Sequence, residues 1–339
     1  MSEYCAGCAG SGSGELMHTD SRLTLAHRLD HLLARWGVRR HRHRVEPGLY
    51  AFGSPGPDSP VFVSANYTLS FDALRRALAG IDAYILVLDT RGINVWCAAG
   101  KGTFGTDELV NRMAVTGLEQ RLSHRRLILP QLGASGVSAH EVQQRSGFRV
   151  VYGPVRAADL PAYLKGGTAT PGMRTVTFRL SERLPLIPVE LVQALLPLVL
   201  AAVGLFFLGG PWASLAAVAV LLAGCVLFPI LLPWLPTRGF SSKGWILGVL
   251  VALPFAALAW LARDVGPTWL RAGAALGPLL ALPPATAYLA LQFTGSSTFT
   301  SRTGVRREIF AYVPWMAVSL LLGLVLSALA RWLPLRGGA

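Results

Sequence analysis

One cysteine of the chain has neighbours that suit a metal ligand. It lies in the segment Asn94-Val95-Trp96-Cys97-Ala98-Ala99-Gly100-Lys101-Gly102-Thr103-Phe104-Gly105-Thr106, directly after an apolar run. Asn94 is a favourable N-cap residue, which places Cys97 at the third helical position. A thiol there lies near the positive end of the helix dipole, with Lys101 one turn further, and both features favour the metal-binding thiolate. Four small residues around it let a flat, bulky group approach the backbone closely: Ala98, Ala99, Gly100 and Gly102.

The residues alone leave other interpretations of the cysteines open. Cys97 can also be an ordinary buried cysteine below a glycine-rich turn; a nucleophilic role is less attractive, because no histidine lies near it in sequence. Cys225, within a long apolar run, is interpreted as a small packing residue. Cys5 and Cys8 form a CxxC in a Gly/Ser-rich tail, which is interpreted as flexible, with metal or redox chemistry as the alternative. An iron–sulfur cluster usually needs four suitably spaced ligands, so we expect none in this chain.

The elements around Cys97 predict an α/β domain. Buried strands are expected at 61–65, 82–88, 126–130 and 149–153, and helices at 70–79, 106–121, 138–146 and 157–164. This alternation predicts a doubly wound sheet, Rossmann-like or flavodoxin-like, which binds its ligand at the carboxyl ends of the strands. We place this domain at residues 59–166. The segment 1–58 before it is expected to comprise a disordered tail to residue 20, an amphipathic helix at 21–36 and a basic stretch.

The C-terminal half is predicted to lie in a membrane. Of the 339 residues, 52% are apolar and only 14% are charged. After a linker at 167–187, with an edge strand at 174–180, residues 191–237 carry no charge at all, too many for one helix across about 30 Å of hydrocarbon. The transmembrane domain, 188–339, is expected to have five helices, at about 188–208, 211–235, 244–262, 268–292 and 311–330.

The positions of the charges predict where each part of the chain lies. No apolar run long enough to insert precedes residue 188, and the arginines beside the spans favour a cytoplasmic N-terminal domain and an external C-terminus in the cell (inner) membrane. The net charge of +13 also reflects a basic stretch from Arg22 to Arg44. Nucleic-acid binding is not expected, because no recognition motif or aromatic platform accompanies that stretch. A solvated helix face resting near anionic lipid headgroups is expected instead.

The segment 94–106 resembles the signature of the mercury-methylating corrinoid protein family (HgcA). Three further stretches resemble the corrinoid domain of that family and of its relative, the corrinoid iron–sulfur protein of acetyl-CoA synthesis: Asn66 to Ser70, Leu129 to Val137 and Tyr152 to Arg156. The membrane half is also similar, with five spans and the loop Phe293 to Ser301 before the last one. The hydroxyls of that loop can cap helix ends or form a docking floor for the N-terminal domain or a ferredoxin. The resemblance covers roughly residues 60–310.

The resemblance implies which residues hold a cofactor. Cys97 is implied as the catalytic residue and as the lower axial ligand of the cobalt of cobalamin, with the corrinoid's own base displaced. The helix beneath the ring is implied to comprise Asn94, Val95, Trp96, Ala98, Ala99, Gly100 and Lys101. Contacts to the corrin edge and nucleotide tail are implied for Thr68, Gln131, Gly133, Ala134, Gly136, Val137, Gly153, Pro154, Val155 and Arg156.

The implied function is that of a methyltransferase that passes a methyl group from Cys-ligated cobalt to mercury(II), forming methylmercury. Because mercury(II) is an electrophile, the methyl group must leave with its bonding pair, and a strongly donating thiolate stabilises the cobalt(III) left behind. Remethylation requires cobalt(I), for which the resemblance implies a ferredoxin-like partner with two [4Fe-4S] clusters. The methyl group is expected from a donor protein of the methyltetrahydrofolate pathway.

Two other functions stay open at this point. A membrane-tethered corrinoid methyl carrier whose acceptor is not mercury fits the same residues. A membrane transporter with a cytoplasmic nucleotide-binding or flavin-binding sensor domain predicts charges or broken helices along a path through the membrane. Asp264 falls at a span end and no acid falls mid-membrane, which disfavours the transporter.

Overall fold

A computed structural model describes residues 15–39, 42–262, 268–297 and 300–332. The chain divides into two compact units, Met1–Val176 and Thr177–Ala339, called here the α/β unit and the helical unit. Several sequence-based predictions concern residues outside the described ranges: those on Cys5, Cys8, Arg40, His41, Arg263, Asp264, Thr298, Phe299 and Arg336.

The described part of the α/β unit alternates strands and helices. Its strands are β1 (Leu16–Thr19), β2 (Gly48–Phe52), β3 (Val61–Ala65), β4 (Ala83–Leu88), β5 (Arg126–Leu129) and β6 (Arg149–Tyr152). Its helices are α1 (Leu25–Arg35), α2 (Thr68–Ala77), α3 (Val95–Lys101), α4 (Thr106–Thr116), α5 (Ala139–Ser146) and α6 (Leu160–Gly166). The four strands and the helices that the sequence predicts are all present, with bounds that differ by a few residues.

The strands form one mixed sheet with the order β1-β2-β4-β3-β5-β6. Strands β4, β3, β5 and β6 are mutually parallel, whereas β2 runs antiparallel to β4 and carries β1 at the outer edge. Within these four parallel strands, the chain starts in the middle at β3, moves to β4 on one side and then to β5 and β6 on the other. This order is that of flavodoxin-like sheets, so the predicted doubly wound fold is confirmed.

Alternating side chains of the strands fill two cores, one on each face of the sheet. One face buries Val61, Val63, Leu86 and Leu88 beneath α3, α4 and α5. The other buries Phe62, Ile85 and Val87 beneath α2 and α6. Apolar side chains on both faces explain why these strands read as nearly continuous apolar runs.

The structure differs from the sequence-based expectations at two places in and after this unit. Strands β1 and β2 lie in the segment expected to be a tail and a basic stretch, yet they extend the same sheet; the domain boundary at residue 59 stays a prediction. The edge strand predicted at 174–180 is wrong, because residues 172–174 form a 3-10 turn and the next five residues have no regular structure. Phe178 has φ = 47°, a left-handed conformation that interrupts an extended strand.

Five helices of the described helical unit are long and apolar enough to cross a membrane, as the sequence predicts. After a short helix α7 (Leu180–Arg183), these are α8 (Ile187–Gly209); α9 (Pro211–Leu221), continued by a π-helical turn (Leu222–Leu227) and α10 (Phe228–Leu231); α11 (Phe240–Leu261); α12 (Thr268–Gln292); and α13 (Arg302–Trp332). The last helix begins about nine residues earlier than the predicted span. The protein is therefore a multi-span membrane protein, with Cys225 buried in the π-helical turn.

Glycines let the membrane helices approach each other closely. A methyl group at Gly248 of α11 would lie 2.5 Å from the Cα of Pro283 in α12. A methyl group at Gly323 of α13 would lie 2.5 Å from the backbone nitrogen of Ala281 in α12. Small residues at helix contacts are the usual means of packing within a bilayer, where no hydrophobic effect drives the helices together.

Candidate functional site

Four loops meet at one edge of the sheet because the strands that precede them are parallel. They comprise residues 66–67 after β3, 89–94 after β4, 130–138 after β5 and 153–159 after β6. The connection after β3 leads to one side of the sheet, and the connection after β5 leads to the other. A sheet of this kind binds its ligand at such a switch point, and the segments that the sequence analysis singled out lie in or directly after these loops.

Asn66 fixes the loop that leads to the cysteine helix. Its side chain is buried, and its Oδ1 accepts hydrogen bonds from the backbone N–H of Thr90 (3.1 Å), the hydroxyl of Thr90 (2.9 Å) and the N–H of Gly92 (2.9 Å). Its Nδ2 donates to the carboxylate of Asp89 (3.2 Å). Arg91 and Gly92 have φ of 59° and 71°, so these bonds stabilise a tight left-handed turn. The end of β3 thereby positions the start of α3.

Cys97 lies on the exposed face of helix α3. Asn94 is the N-cap residue, and its Oδ1 accepts a hydrogen bond from the backbone N–H of Cys97 at 2.9 Å, in the geometry that the sequence predicts. The thiol is free and half-buried. Gly100 and Lys101 follow Cys97 at the i+3 and i+4 positions and share its face. The helix therefore presents one soft donor atom at the ligand-binding edge of the sheet.

The small residues around Cys97 have two different roles. A methyl group at Gly100 would meet no heavy atom within 4 Å, so the space beside the thiol is open. Ala98 and Ala99 instead face the core and are 0% and 4% exposed. Their small size therefore allows α3 to pack closely on the loop after β5, whereas the sequence analysis attributed it to the approach of a flat group. Contact of Ala98 and Ala99 with a cofactor stays a prediction.

The loop 130–137 is held tightly from two sides. A methyl group at Gly136 would lie 2.2 Å from the carbonyl oxygen of Phe104, and one at Gly133 would lie 2.6 Å from the Phe104 ring. On the other side, the hydroxyl of Tyr152 donates to the carbonyl of Val137 at 2.7 Å. Burial raises the pKa of Tyr152, which keeps its phenol protonated as the donor. The backbone of this loop therefore has a fixed position beside α3.

The structure brings the loops after β5 and β6 together. The backbone N–H of Gln131 donates to the carbonyl of Pro154 at 3.4 Å, and the side-chain oxygen of Gln131 accepts from Arg174 at 3.1 Å. The N–H of Gly153 donates to the carbonyl of Leu129 at 2.8 Å, and that of Val155 to the carbonyl of Met173. Ala134 and Arg156 are partly exposed beside them.

Thr68 is placed differently from the other predicted site residues. It is buried, its hydroxyl donates to the carboxylate of Asp30 at 2.9 Å, and its backbone N–H donates to the carbonyl of His43. Both groups contact the N-terminal segment, so Thr68 joins that segment to the site edge. Its contact with a cofactor stays a prediction.

Cys97 supplies the thiol of this edge. Within the part of the chain that the structure describes, no cluster of three or more His, Cys, Asp or Glu side chains could hold a metal ion. Of the two histidines downstream of Cys97 that could act as a base for a nucleophilic cysteine, His124 precedes β5 and so lies at the opposite edge, where it contacts the carbonyl of Ser59 at 3.0 Å. His140 lies at the start of α5, directly after the loop that follows β5.

The sequence did not predict which residues position Cys97 without contacting a cofactor themselves. Asn66, Phe104 and Tyr152 hold the loops in place, and all three were noticed only as members of the stretches that resemble the family. A polar residue directly after a buried strand was a usable signal for Asn66, since a buried amide requires partners. No comparable signal marks Phe104, whose role depends on glycines about 30 residues away in sequence.

Comparison with known proteins finds similarity in the α/β unit. Residues 31–164 match the family model described as CO dehydrogenase/acetyl-CoA synthase delta subunit. The gamma subunit of the acetyl-CoA decarbonylase/synthase complex of Archaeoglobus fulgidus is 32% identical over 124 residues, 36% of this chain and 26% of the relative. Its counterpart in Methanopyrus kandleri is 33% identical over 128 residues, 37% of this chain and 27% of the relative.

A third relative is the corrinoid/iron-sulfur protein large subunit of Moorella thermoacetica. It is 28% identical over 129 residues, which cover 38% of this chain and 28% of the relative. The chain thus spans about a quarter of the length of the curated relatives it matches. The matched part contains β3 to β6 and Cys97, and it excludes the five membrane helices.

Proposed function

We propose that the α/β unit binds a corrinoid and that the protein is a membrane-anchored carrier of methyl groups, with mercury(II) as the acceptor. The observation that carries the proposal is the half-buried thiol of Cys97, presented alone on a capped helix at the ligand-binding edge of the sheet. The similarity to a relative whose name includes a corrinoid supports the choice of cofactor.

The residues present fit such a group. A cobalt atom inside a macrocycle needs few ligands from the protein, which agrees with a single soft donor and no cluster of further donors in the described chain. A methyl group at Gly100 would meet no heavy atom within 4 Å, so this position beside the thiol is not packed against another part of the chain, as the approach of a flat ring requires. The loops at 131–137 and 153–156 offer backbone groups at the same edge for the rim and the nucleotide tail.

The chain's own residues would hold and tune the cofactor. Cys97 would hold the cobalt through its thiolate, and Asn94 would keep Cys97 in place by accepting the hydrogen bond from its backbone N–H. The other residues of that helix that would lie beside the cofactor are Val95, Trp96, Gly100 and Lys101. When bound, the corrinoid supplies a cobalt-held methyl group. A thiolate donates strongly to the metal, which favours departure of that methyl group with its bonding pair to an electrophile such as mercury(II).

The chemistry requires partners that supply electrons and methyl groups. We propose a ferredoxin-like protein with two [4Fe-4S] clusters as the reductant and a protein of the methyltetrahydrofolate pathway as the methyl donor. Cys97 and Cys225 are the free cysteines of the described chain, and they lie in different units.

We further propose that the site faces the cytoplasm and that the C-terminus lies outside the cell. The test fuses, after Ala339, a reporter enzyme that works only in the cytoplasm. Activity of this reporter would contradict the proposed topology.

The relatives favour a second candidate function with the same cofactor. Several of them are named as subunits of acetyl-CoA decarbonylase/synthase complexes, and none of those names mentions mercury. A carrier that passes its methyl group to an acceptor other than mercury(II) agrees with the same site. The two functions differ in the acceptor and not in the role of Cys97.

The test uses full-length protein in detergent or nanodiscs, loaded with cobalamin. The wild type is expected to show the visible spectrum of thiolate-ligated cobalt, and Cys97→Ala is expected to lose it. Cys225→Ala is the matched control, because it removes a buried thiol from the helical unit. With reduced ferredoxin, a methyl donor and mercury(II), the wild type and the control should form methylmercury, whereas Cys97→Ala should not. A thiolate spectrum without methylmercury would favour the second acceptor, and an unchanged base-on spectrum in the wild type would reject corrinoid ligation by Cys97.

A further inference from the structure

Helix α1 is packed with its polar face toward the protein. The Nε2 atom of His31 lies 2.6 Å from the carboxylate of Asp72 in α2, and His27 lies 3.1 Å from the guanidinium of Arg75. On the same side, Asp30 contacts His43 at 2.7 Å. Besides the buried Ala34, this side of α1 therefore makes ionic and polar contacts with the protein, which is the reverse of an ordinary amphipathic surface helix.

The polar contacts fix the rotation of α1 about its axis. Asp72 and Arg75 are almost completely buried, and Arg75 Nε contacts Asp72 at 2.6 Å. Arg75 also donates to the carbonyls of Asp20 and Arg22, each at 2.7 Å, just before the helix starts. Because breaking these bonds would leave buried charges without partners, the helix cannot turn its other face inward.

The opposite face of α1 is a stripe of large apolar side chains in solvent. Its members recur at helical spacing and are 82%, 56%, 52% and 43% exposed: Leu25, Leu29, Leu32 and Trp36. Single exposed apolar residues are common, but four in register on one short helix mark an interaction surface. This set is called the α1 stripe below.

Arginines surround the α1 stripe. Four of them are exposed along the segment from residue 22 to residue 39: Arg22, Arg28, Arg35 and Arg39. The one acid within these bounds, Asp30, points inward to His43 and Thr68. Leucines and a tryptophan bordered by arginines are the composition of helices that lie in the headgroup region of an anionic bilayer.

We propose that the α1 stripe docks on the anionic surface of the bilayer in which the five membrane helices of the chain are embedded. The charge of the border favours phospholipid headgroups over a neutral or basic protein surface. The membrane helices tether the α/β unit to that bilayer, so even a weakly binding helix is held at high local concentration. The soft layer between headgroups and acyl chains accepts leucine and tryptophan side chains while the arginines remain hydrated.

The test measures the environment of position 32 in the full-length protein. The protein carries a nitroxide on a genetically encoded side chain at position 32 or, as the reference, at the exposed position 115 of α4. Each labelled protein is reconstituted in nanodiscs with and without anionic lipid. Electron paramagnetic resonance then compares collisions with oxygen, which concentrates in the bilayer, and with a water-soluble nickel chelate. In anionic nanodiscs the label at 32 is expected to favour oxygen, and the label at 115 to favour nickel.

Matched variants separate the contributions of the stripe and of its charges. Leu29→Glu is expected to return the label at 32 to water, whereas Val115→Glu, which places the same charge on another exposed apolar position, is expected to leave it in lipid. Arg28→Gln and Arg35→Gln are each expected to lower the docking equilibrium about fivefold, the weight of one arginine near an anionic surface.

Three results would overturn the proposal. Access of the nickel chelate to position 32 equal to that at 115 in anionic nanodiscs would show that the stripe stays in water. Protection of position 32 from both reagents would show that protein, either this chain or a second copy, covers it. Equal protection with and without anionic lipid would remove the assigned role of the arginines. None of these measurements depends on cobalamin, so their failure leaves the proposed function untouched.

Discussion

Replacing Asn66 with alanine removes the acceptor that holds the loop before the cysteine helix. Three donors point at its Oδ1: the backbone N–H and hydroxyl of Thr90 and the N–H of Gly92. The Thr90 hydroxyl keeps a second acceptor, the carbonyl of Ile93 at 2.7 Å, but the two backbone N–H groups lose theirs. The variant therefore tests whether one side chain directly after β3 positions Cys97.

The expected magnitude follows from the burial of the two backbone donors. Thr90 is completely buried, and Gly92 is partly buried. A buried donor without a partner costs about 1–3 kcal/mol, so the loop should be destabilised by about 2–4 kcal/mol. Because about 1.4 kcal/mol corresponds to a factor of ten, opening of the loop should become about 30-fold to several hundred-fold more frequent.

Amide hydrogen exchange of the full-length protein in nanodiscs measures this opening directly. Peptides that cover residues 89–94 should exchange faster in Asn66→Ala by that factor, and the affinity for cobalamin should fall with it. Ser64→Ala is the matched control, since it removes a buried hydroxyl of the same strand that donates to Ala65 and not to the loop. Equal exchange at 89–94 in wild type and Asn66→Ala would refute the role of Asn66.

Three further variants test the packing and electrostatics of the α/β unit. Gly100→Leu is expected to leave the free energy of unfolding unchanged or to raise it by about 0.5–1 kcal/mol. It is expected to weaken cobalamin binding in a titration, because the leucine side chain fills the open space beside Cys97. An unchanged affinity would show that the ring does not lie there. Gly136→Ala is expected to cost about 1–3 kcal/mol in a thermal unfolding assay, because its methyl group collides with the backbone of Phe104, and a wild-type midpoint would contradict this packing. Burial, and then the neighbouring guanidinium of Arg75, lower the pKa of His27 in the folded protein. As the pH drops below about 6.5, the unfolded chain therefore binds a proton at His27 more readily than the folded chain does, and the free energy of unfolding falls. His27→Gln should lack this pH-dependent loss of stability. If the unfolding midpoint falls by the same amount from pH 7.5 to 5 in the wild type and in His27→Gln, the role of His27 is wrong.

Local patterns predicted the parts of the fold that local forces determine. The run 61–65 is apolar on both faces, as a central strand must be, and Asn94 is a helix N-cap by its own chemistry. Strands β1 and β2 were not predicted, because each depends on a partner that is distant in sequence. Leu16 pairs with Leu49, and Tyr50 pairs with Ile85. A short strand at a sheet edge carries little signal until its neighbour is known.

The same distinction separates the donor atom from the residues that position it. The sequence singled out Cys97 and its exposed neighbours, because helix position and residue type are local properties. It attributed the small size of Ala98 and Ala99 to an approaching ring, since nothing local shows that both face the core beneath α3. The packing of Phe104 on Gly133 is likewise a contact between segments that no local pattern predicts.

A lone protein ligand makes that positioning more important than it is in a cluster. In a site with three or four protein donors, each ligand limits where the others can bring the metal, so modest errors in one are corrected by the rest. In the proposed corrinoid site, Cys97 would have no cluster of companion ligands among the described residues, so its sulfur would be placed by groups that do not touch the metal. Asn94 holds its backbone N–H, Asn66 holds the loop before it, and Phe104 holds the support beneath it. Loss of any one of these should therefore weaken ligation even though the thiol itself is unchanged.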